Sequence, residues 1–247
     1  MGSNSKIEWT EQTWNPTTGC TKISPGCKHC YAETMARRLQ AMGANGYQNG
    51  FQLQLHIDRL EQPLNRKKST TYFVNSMSDL FHEEVPDRFI EQVFEVITKT
   101  PHHTYQILTK RSDRLPEYFS RRKCPDNVWL GVSVEDRAHG LPRLDHLRRV
   151  KARIRFASVE PLLENLGPID FSEIHWVIVG GESGHKARPM QEGWAENVRR
   201  YAKAAGAAYF FKQWGAWGAD GVKRNKLKNG RILNGETYDE YPIDNPW

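Results

Sequence analysis

The hydrophobic and polar positions of this chain become regular from Thr71 onward. Thr71 to Ser76 is a β-branched and aromatic run, and Asp87 to Thr100 sets Phe89, Val93 and Ile97 on one helical face. The pattern continues with a strand at Tyr105–Thr109 and a helix around Arg111–Ser120. Strands follow at Val128–Val134, Ile154–Val159 and His175–Val179 with helical or irregular connections, then a helix at Trp194–Ala205 and a strand at Ala207–Phe211. Nearer the start, Ile7 to Asn15 mixes β-favouring Ile, Trp and Thr with polar neighbours and stops at Pro16, which makes it the candidate first strand. A helix is expected from Tyr31 to about Met42, with Met35, Leu39 and Met42 at i, i+4, i+7 spacing before Gly43. Residues 43 to 70 give no clear period, and residues 1 to 6 are polar and expected to be disordered.

Apolar strands alternating with helical crossovers imply a parallel sheet, because parallel neighbours need long connections. The chain has 247 residues, and about 250 is typical of a β/α barrel. The expected class is α/β, a full or partial parallel β/α (TIM-like) barrel with an N-terminal cysteine loop. Residues 1–212 form the barrel, and 213–247 form an aromatic and basic tail packed on it. An open doubly wound sheet is the alternative, although no G-x-G-x-x-G follows a first strand.

Ligands in such folds bind at the carboxyl ends of the strands. Here those ends are polar: Asn75-Ser76-Met77-Ser78-Asp79, Thr109-Lys110-Arg111, Ser133-Val134-Glu135-Asp136, Ser158-Val159-Glu160-Pro161 and Gly180-Gly181-Glu182-Ser183-Gly184. Ser-Val-Glu at 133 and 158, answered by Gly-Gly-Glu at 180, sets three carboxylates at the ends of three successive strands. The glycines of the last segment can offer backbone N–H groups to a ligand, although a Gly turn after a strand is also simply a turn.

Three of the four cysteines fall in one loop, Cys20, Cys27 and Cys30, spaced C-x6-C-x2-C among Gly19, Pro25 and Gly26. Three thiolates converging with no local fourth suggest a metal site with an open position, since iron–sulfur clusters usually take four Cys and structural zinc four Cys or His. A structural zinc completed by His29 or the distant Cys124 is the competing reading. A secreted disulfide framework fits poorly with so few cysteines, which suit a reducing cytoplasm.

The cysteine loop followed at once by the helix from Tyr31 resembles the radical S-adenosylmethionine (SAM) enzymes. More narrowly, Ile7-Glu8-Trp9-Thr10, Thr13-Trp14-Asn15-Pro16, the cysteine loop and Phe210-Phe211-Lys212-Gln213-Trp214-Gly215 resemble a phage-associated three-Cys-motif family described as radical-SAM-like. The first gap is three residues longer than in the C-x3-C-x2-C of the main superfamily, and His29 stands where an aromatic usually precedes the last Cys. The resemblance implies that Cys20, Cys27 and Cys30 hold a 4Fe-4S cluster whose open iron is chelated by the amino and carboxylate groups of SAM. An external electron donor would supply the electron. Lys110 then suits the SAM carboxylate. Asn75, Ser76, Ser133, Glu135, Ser158, Glu160, Gly180, Gly181 and Glu182 are the groups available for its amine, ribose and adenine.

Composition adds a possible substrate. The net charge is +6 and the pI about 9.1, with basic runs at 121–123, 143–155 and 223–231, and phosphate is the polyanion such a surface most often meets. Trp214, Trp217, Tyr238, Tyr241 and Trp247 surround the last run, an arrangement that can stack bases or simply pack on the barrel. A nucleotide or nucleic acid is therefore the expected substrate class. A zinc-bearing nucleic-acid-binding module, or a cluster- or SAM-binding protein without radical chemistry, remains the alternative. No run of ~18 apolar residues is present to span a membrane, and a cytoplasmic enzyme is the expectation.

Overall fold

The structure, a computed structural model, describes residue 5 and residues 7–242. The rest of the 1–6 segment and Trp247 lie outside the described residues. In chain order the elements are β1 (Gln12–Trp14), β2 (Thr17–Thr18), α1 (Tyr31–Ala41), β3 (Gln54–Leu55), β4 (Thr71–Val74), α2 (Asp87–Lys99), β5 (Thr104–Thr109) and α3 (Arg114–Ser120). They continue as β6 (Val128–Ser133), α4 (Arg137–Arg148), β7 (Ile154–Val159), β8 (Trp176–Gly180), α5 (Glu192–Ala204), β9 (Ala208–Gln213) and α6 (Lys226–Asn229). Seven strands in the order β1-β4-β5-β6-β7-β8-β9 form one sheet with every neighbouring pair parallel. The sheet curls into a half-barrel, so of the two architectures expected, full or partial, the partial TIM-like barrel is the one adopted. β2 and β3 pair antiparallel as a separate two-stranded ribbon.

Side chains alternate across the pleat of each strand, and the two faces differ in character. Tyr72, Val74, Tyr105, Ile107, Leu130, Val132, Val177 and Val179 pack in the main core with Ile90, Val93 and Ile97 of α2, Leu144 of α4 and Val198 of α5. Each such side chain, fully buried, contributes roughly 1.5–3 kcal/mol. The opposite, concave face is aromatic: Phe73, Trp129, Phe156, Trp176 and Phe210 form a second cluster around Trp9. Gly131 is part of that design, since a Cβ there would lie 2.4 Å from the Phe156 ring. Two residues along from the inward side chains, the same face becomes polar at Asn75, Lys110, Ser158 and Lys212, and Ser133 follows four after Trp129.

One expected boundary changes, and two other readings gain structural detail. The first strand is only three residues long, because Trp9 leaves the sheet and fills the concave cluster, with its carbonyl accepting from Gln106 Nε2 at 3.2 Å. Helix α1 buries Ala32 and Ala36 rather than the Met35–Met42 stripe, and Met42 is 78% exposed. The basic runs are largely paired with acids: Arg143 with Glu135, Arg148 with Asp145 and Asp170, Arg155 with Glu173, and Arg224 with Asp220.

The tail turns its described aromatics inward. Trp214 is buried and donates to the Ile232 carbonyl at 2.7 Å, Trp217 donates to that of Ala187 at 2.7 Å, Tyr238 packs edge-on against Tyr209, and Tyr241 stacks on Trp176. No helix among the described residues is long and apolar enough to cross a membrane.

Candidate functional site

The cysteine loop leaves the small ribbon at Gly19, whose φ of +81° is open to glycine and whose missing Cβ would overlap the Gln52 carbonyl at 2.0 Å. Backbone bonds from Gly19 N to Met77 O (3.0 Å) and Cys20 N to Phe51 O (3.1 Å), with Ser78 Oγ donating to Gly19 O (2.6 Å), hold this first end. A 3-10 turn at Pro25–Cys27 reverses the chain, and Cys30 is the N-cap of α1.

Three clamps then tie the loop to strand ends. Arg111, after β5, donates from Nη1 to Cys20 Sγ at 3.4 Å and from Nη2 to the Thr21 carbonyl and hydroxyl at 3.2 and 2.7 Å. Its charge is balanced by Asp79 at 3.3 Å and Glu83 at 2.5 Å. His82 completes the group: the Glu84 N–H donates to its Nδ1, so Nε2 carries the proton and donates to the Thr21 hydroxyl at 2.9 Å. Burial, then Arg111, keeps that imidazole below the ordinary histidine range and hence neutral.

The second clamp is Glu135, after β6, which accepts from Ser24 Oγ and pairs with Arg143 Nη1 at 2.5 Å. A Cβ on Gly26 would stand 2.9 Å from the Glu135 side chain, so glycine lets the turn settle on the carboxylate. Burial pushes this carboxyl up, but Lys110 and Arg143 more than offset it, and it is held below the usual range. The third is Glu182, after β8, which accepts two bonds from the Arg188 guanidinium at 2.6 and 2.9 Å while Arg188 Nη2 reaches the Pro25 carbonyl at 3.0 Å.

Beneath the clamped loop lies a cavity of ≈ 380 Å³ at the carboxyl ends of the strands. Cys20, Cys27, Cys30 and His29 line it, together with Asn75, Ser76, Lys110, Ser133, Ser158, Glu160, Gly181 and Glu182. Glu135 and Gly180 do not: Glu135 is fully buried between Ser24 and Arg143, and Gly180 leaves room for Glu160, 3.2 Å from where its Cβ would be. Cys124 sits in the main core with its thiol pushed up to about 12 by burial, which removes it as a fourth ligand in the zinc reading. Among the described residues no three His, Cys, Asp or Glu side chains close on one point as a metal site.

Polar character concentrates around this cavity. Lys110 Nζ donates to Ser133 Oγ at 3.1 Å, and Lys212 Nζ meets both Glu160 oxygens at 2.9 Å. Four lining residues carry a buried atom with no hydrogen-bond partner: the Trp9 Nε1 and Asn75 Nδ2 donors and the Glu8 Oε2 and Gln213 Oε1 acceptors. Unpaired buried polar groups of this kind call for a ligand or water. Asp79, Glu83, His82, Arg111, Arg188 and Lys212 were outside the sequence-derived candidates. Asp79 and Arg111 lay in the polar strand ends, whereas Arg188 and Glu83 gave no pattern.

The fold has known counterparts. A single-substitution mutant of spore photoproduct lyase superposes with a TM-score of 0.54 at 14% identity, covering 85% of this chain and 79% of that one. A double mutant of the same enzyme with bound AdoMet and dinucleoside spore photoproduct gives 0.53 at 13% identity with the same coverages. These likenesses show that the half-barrel fold is shared with that enzyme. No curated protein matches the sequence. One family model covers residues 4–242, and the chain belongs to that family, described as "Protein of unknown function (DUF5131)".

Proposed function

We propose that this protein is an iron–sulfur, SAM-dependent enzyme of the radical type whose substrate is a nucleotide or nucleic acid. One observation carries the reading: Cys20, Cys27 and Cys30 line a single cavity at the strand ends of a half-barrel, under a loop held by Arg111, Glu135 and Arg188. The donor set fits a cluster with an open iron, because three thiols and no further cysteine reach the cavity. The unpaired Asn75 Nδ2 and Gln213 Oε1 fit a polar ligand beside it.

In this reading the three cysteines would hold a 4Fe-4S cluster, and Asn75, Ser76, Lys110, Ser133, Ser158, Glu160, Gly181 and Glu182 would bind and orient SAM. When bound, the cluster supplies one-electron chemistry on SAM. The chain's own work is positional. Arg111 orients the Cys20 sulfur, and Lys110 can pair with a carboxylate. The aromatic floor of Phe73, Phe156, Trp176 and Trp9 keeps water from the barrel interior. A relative of the same fold binds AdoMet and a dinucleoside lesion, which supports a nucleotide-containing substrate here.

Anaerobic reconstitution tests the reading. About four iron and four sulfide per chain are expected, lost when Cys20, Cys27 or Cys30 is changed to Ala and retained in Cys124→Ala. Stoichiometric zinc without iron uptake would overturn it.

A further inference from the structure

Glu8 and Trp9 line the cavity that the three cysteines share, although neither has a part in the site described so far. They are the central residues of a turn in which Thr10 N donates to the Ile7 carbonyl at 3.4 Å. That turn is fastened to the sheet: the Trp9 carbonyl accepts from Gln106 Nε2 at 3.2 Å, and Thr10 Oγ1 donates to the Thr71 carbonyl at 3.2 Å. Trp9 is 2% exposed and packs against the rings of Phe73, Phe156 and Trp176, which fixes the direction of its indole. A buried indole N–H ordinarily finds an acceptor. Trp14, Trp176, Trp214 and Trp217 each donate to a backbone carbonyl at 2.7–2.8 Å. The Trp9 Nε1 donor has no partner, and neither has the neighbouring Glu8 Oε2 acceptor.

Lys226, the first residue of α6, completes the group. It lines the same cavity, and its Nζ stands 3.7 Å from Glu8 Oε1, an ion pair too long to be a hydrogen bond. Glu8 precedes β1 and Lys226 follows β9, the two edge strands of the sheet, so the pair links the segments that flank the open edges of the half-barrel. The three side chains bring one acceptor, Glu8, together with two donors, the Trp9 indole and the Lys226 ammonium. Phe73 and Leu108 line the cavity with them and supply apolar faces for a flat ring.

We propose that Glu8, Trp9 and Lys226 form the base-recognition wall of this cavity, and that the base they take has an imide edge, a ring N–H between two carbonyls, as in uracil and thymine. The proposal rests on the nucleotide reading above and narrows it. Glu8 Oε2 accepts from the ring N–H, Trp9 Nε1 donates to one carbonyl and Lys226 Nζ to the other, so that every group of the wall and of the edge is paired. The other bases fit this order less well. Guanine sets its amino group against a donor, and cytosine and adenine set a ring nitrogen against the carboxylate. Unpaired or like groups brought together out of water are what a polar wall discriminates with.

The test uses the reconstituted full-length chain with SAM under anaerobic conditions, and fluorescence anisotropy of labelled pentamers of thymidine, deoxycytidine, deoxyadenosine, and thymidine methylated at its ring N–H. The four share one phosphate backbone, so differences between them report the base. The parent should bind the thymidine pentamer about tenfold or more tightly than the other three. Trp9→Phe keeps a ring in the aromatic cluster and removes the donor, and it should reduce that preference. Glu8→Ala, a change within a turn, should bind thymidine and its methylated form alike at unchanged iron content, and it carries the test if Trp9→Phe misfolds. Equal binding of all four pentamers by the parent overturns the base-recognition wall while leaving the nucleotide reading in place. So does a preference that survives in both variants, or a weakening that is the same for every pentamer. A parent that binds none of the pentamers overturns the proposal together with the substrate class it rests on.

Discussion

Arg111 donates to Cys20 Sγ at 3.4 Å from a guanidinium that is itself paired with Asp79 and Glu83, so the end of β5 is bonded to the first cysteine of a loop 91 residues earlier. The same side chain takes both the carbonyl and the hydroxyl of Thr21. Fork geometry matters here, because a lysine cannot donate in these directions together.

Removing Arg111 should therefore affect stability and metal retention separately. Arg111→Ala leaves Asp79 buried without its cation, which costs about 3 kcal/mol by analogy with other broken buried pairs. Arg111→Lys should regain part of that stability through its charge but not the iron content of the reconstituted protein. Urea unfolding of the metal-free chains, with iron analysis of the reconstituted ones, checks both. Equal iron retention in parent and Arg111→Lys would show that the contact with Cys20 does not matter.

Glu135 gives the fold a signed dependence on pH. Its carboxyl is held below the usual range because Lys110 and Arg143 outweigh burial. A depressed folded-state pKa contributes stability above the unfolded value of about 4.3 and loses it as pH falls through the folded value. The parent should lose stability steeply on acidification below about pH 4.3. Glu135→Gln should start less stable by about 3 kcal/mol at neutral pH and show a shallower acid slope. Chemical denaturation midpoints across that range measure the difference.

Cys124 should behave unlike Cys27 and Cys30. Its thiol is buried in the main core and pushed up to about 12, so little thiolate exists at pH 8 and iodoacetamide has no access. Mass spectrometry of the native metal-free chain should find Cys124 unmodified while the partly exposed Cys27 and Cys30 are alkylated. Modification of Cys124 should appear only after unfolding.

The parallel sheet was legible because its strands are apolar runs whose flanking polar residues fall at fixed ends. The three cysteines were legible as one group because they fall close together in the sequence, and all three line one cavity. What sequence reading missed depends on distant partners. Ile7–Thr10 has strand composition, yet Trp9 is worth more in the concave aromatic cluster against Phe73, Phe156 and Trp176. The helical spacing of Met35, Leu39 and Met42 placed α1 but not its contact with the body of the protein, which runs through the small Ala32 and Ala36. Glu135 stands in register with the other strand-end carboxylates and is drawn instead to Arg143, eight residues on, at a position its own strand could not reveal. Residues 43–70 fold through a two-residue strand, β3, and single turns that carry no period.

Asn75 connects an unsatisfied atom to ligand binding. Its φ of +59° is one that Asn and Asp tolerate, and its Oδ1 accepts from Thr17 N at 3.2 Å, but the buried Nδ2 has no partner. Asn75→Asp keeps the acceptor and removes the donor. If SAM fills the cavity and takes a hydrogen bond from Nδ2, the substitution should weaken binding about tenfold or more. Thermal unfolding reports this directly. SAM at about 100 times its dissociation constant stabilises the native state by about 2.7 kcal/mol, an upward shift of roughly 5–10 °C for a chain of this size. At the same SAM concentration the variant, now at about ten times its weaker constant, should gain only about 1.4 kcal/mol and about half the shift. A buried carboxylate lowers the variant's starting midpoint, so the comparison is between shifts, each against its own SAM-free protein. Equal shifts in parent and Asn75→Asp would mean that SAM does not use this donor, and would move the binding site away from the end of β4.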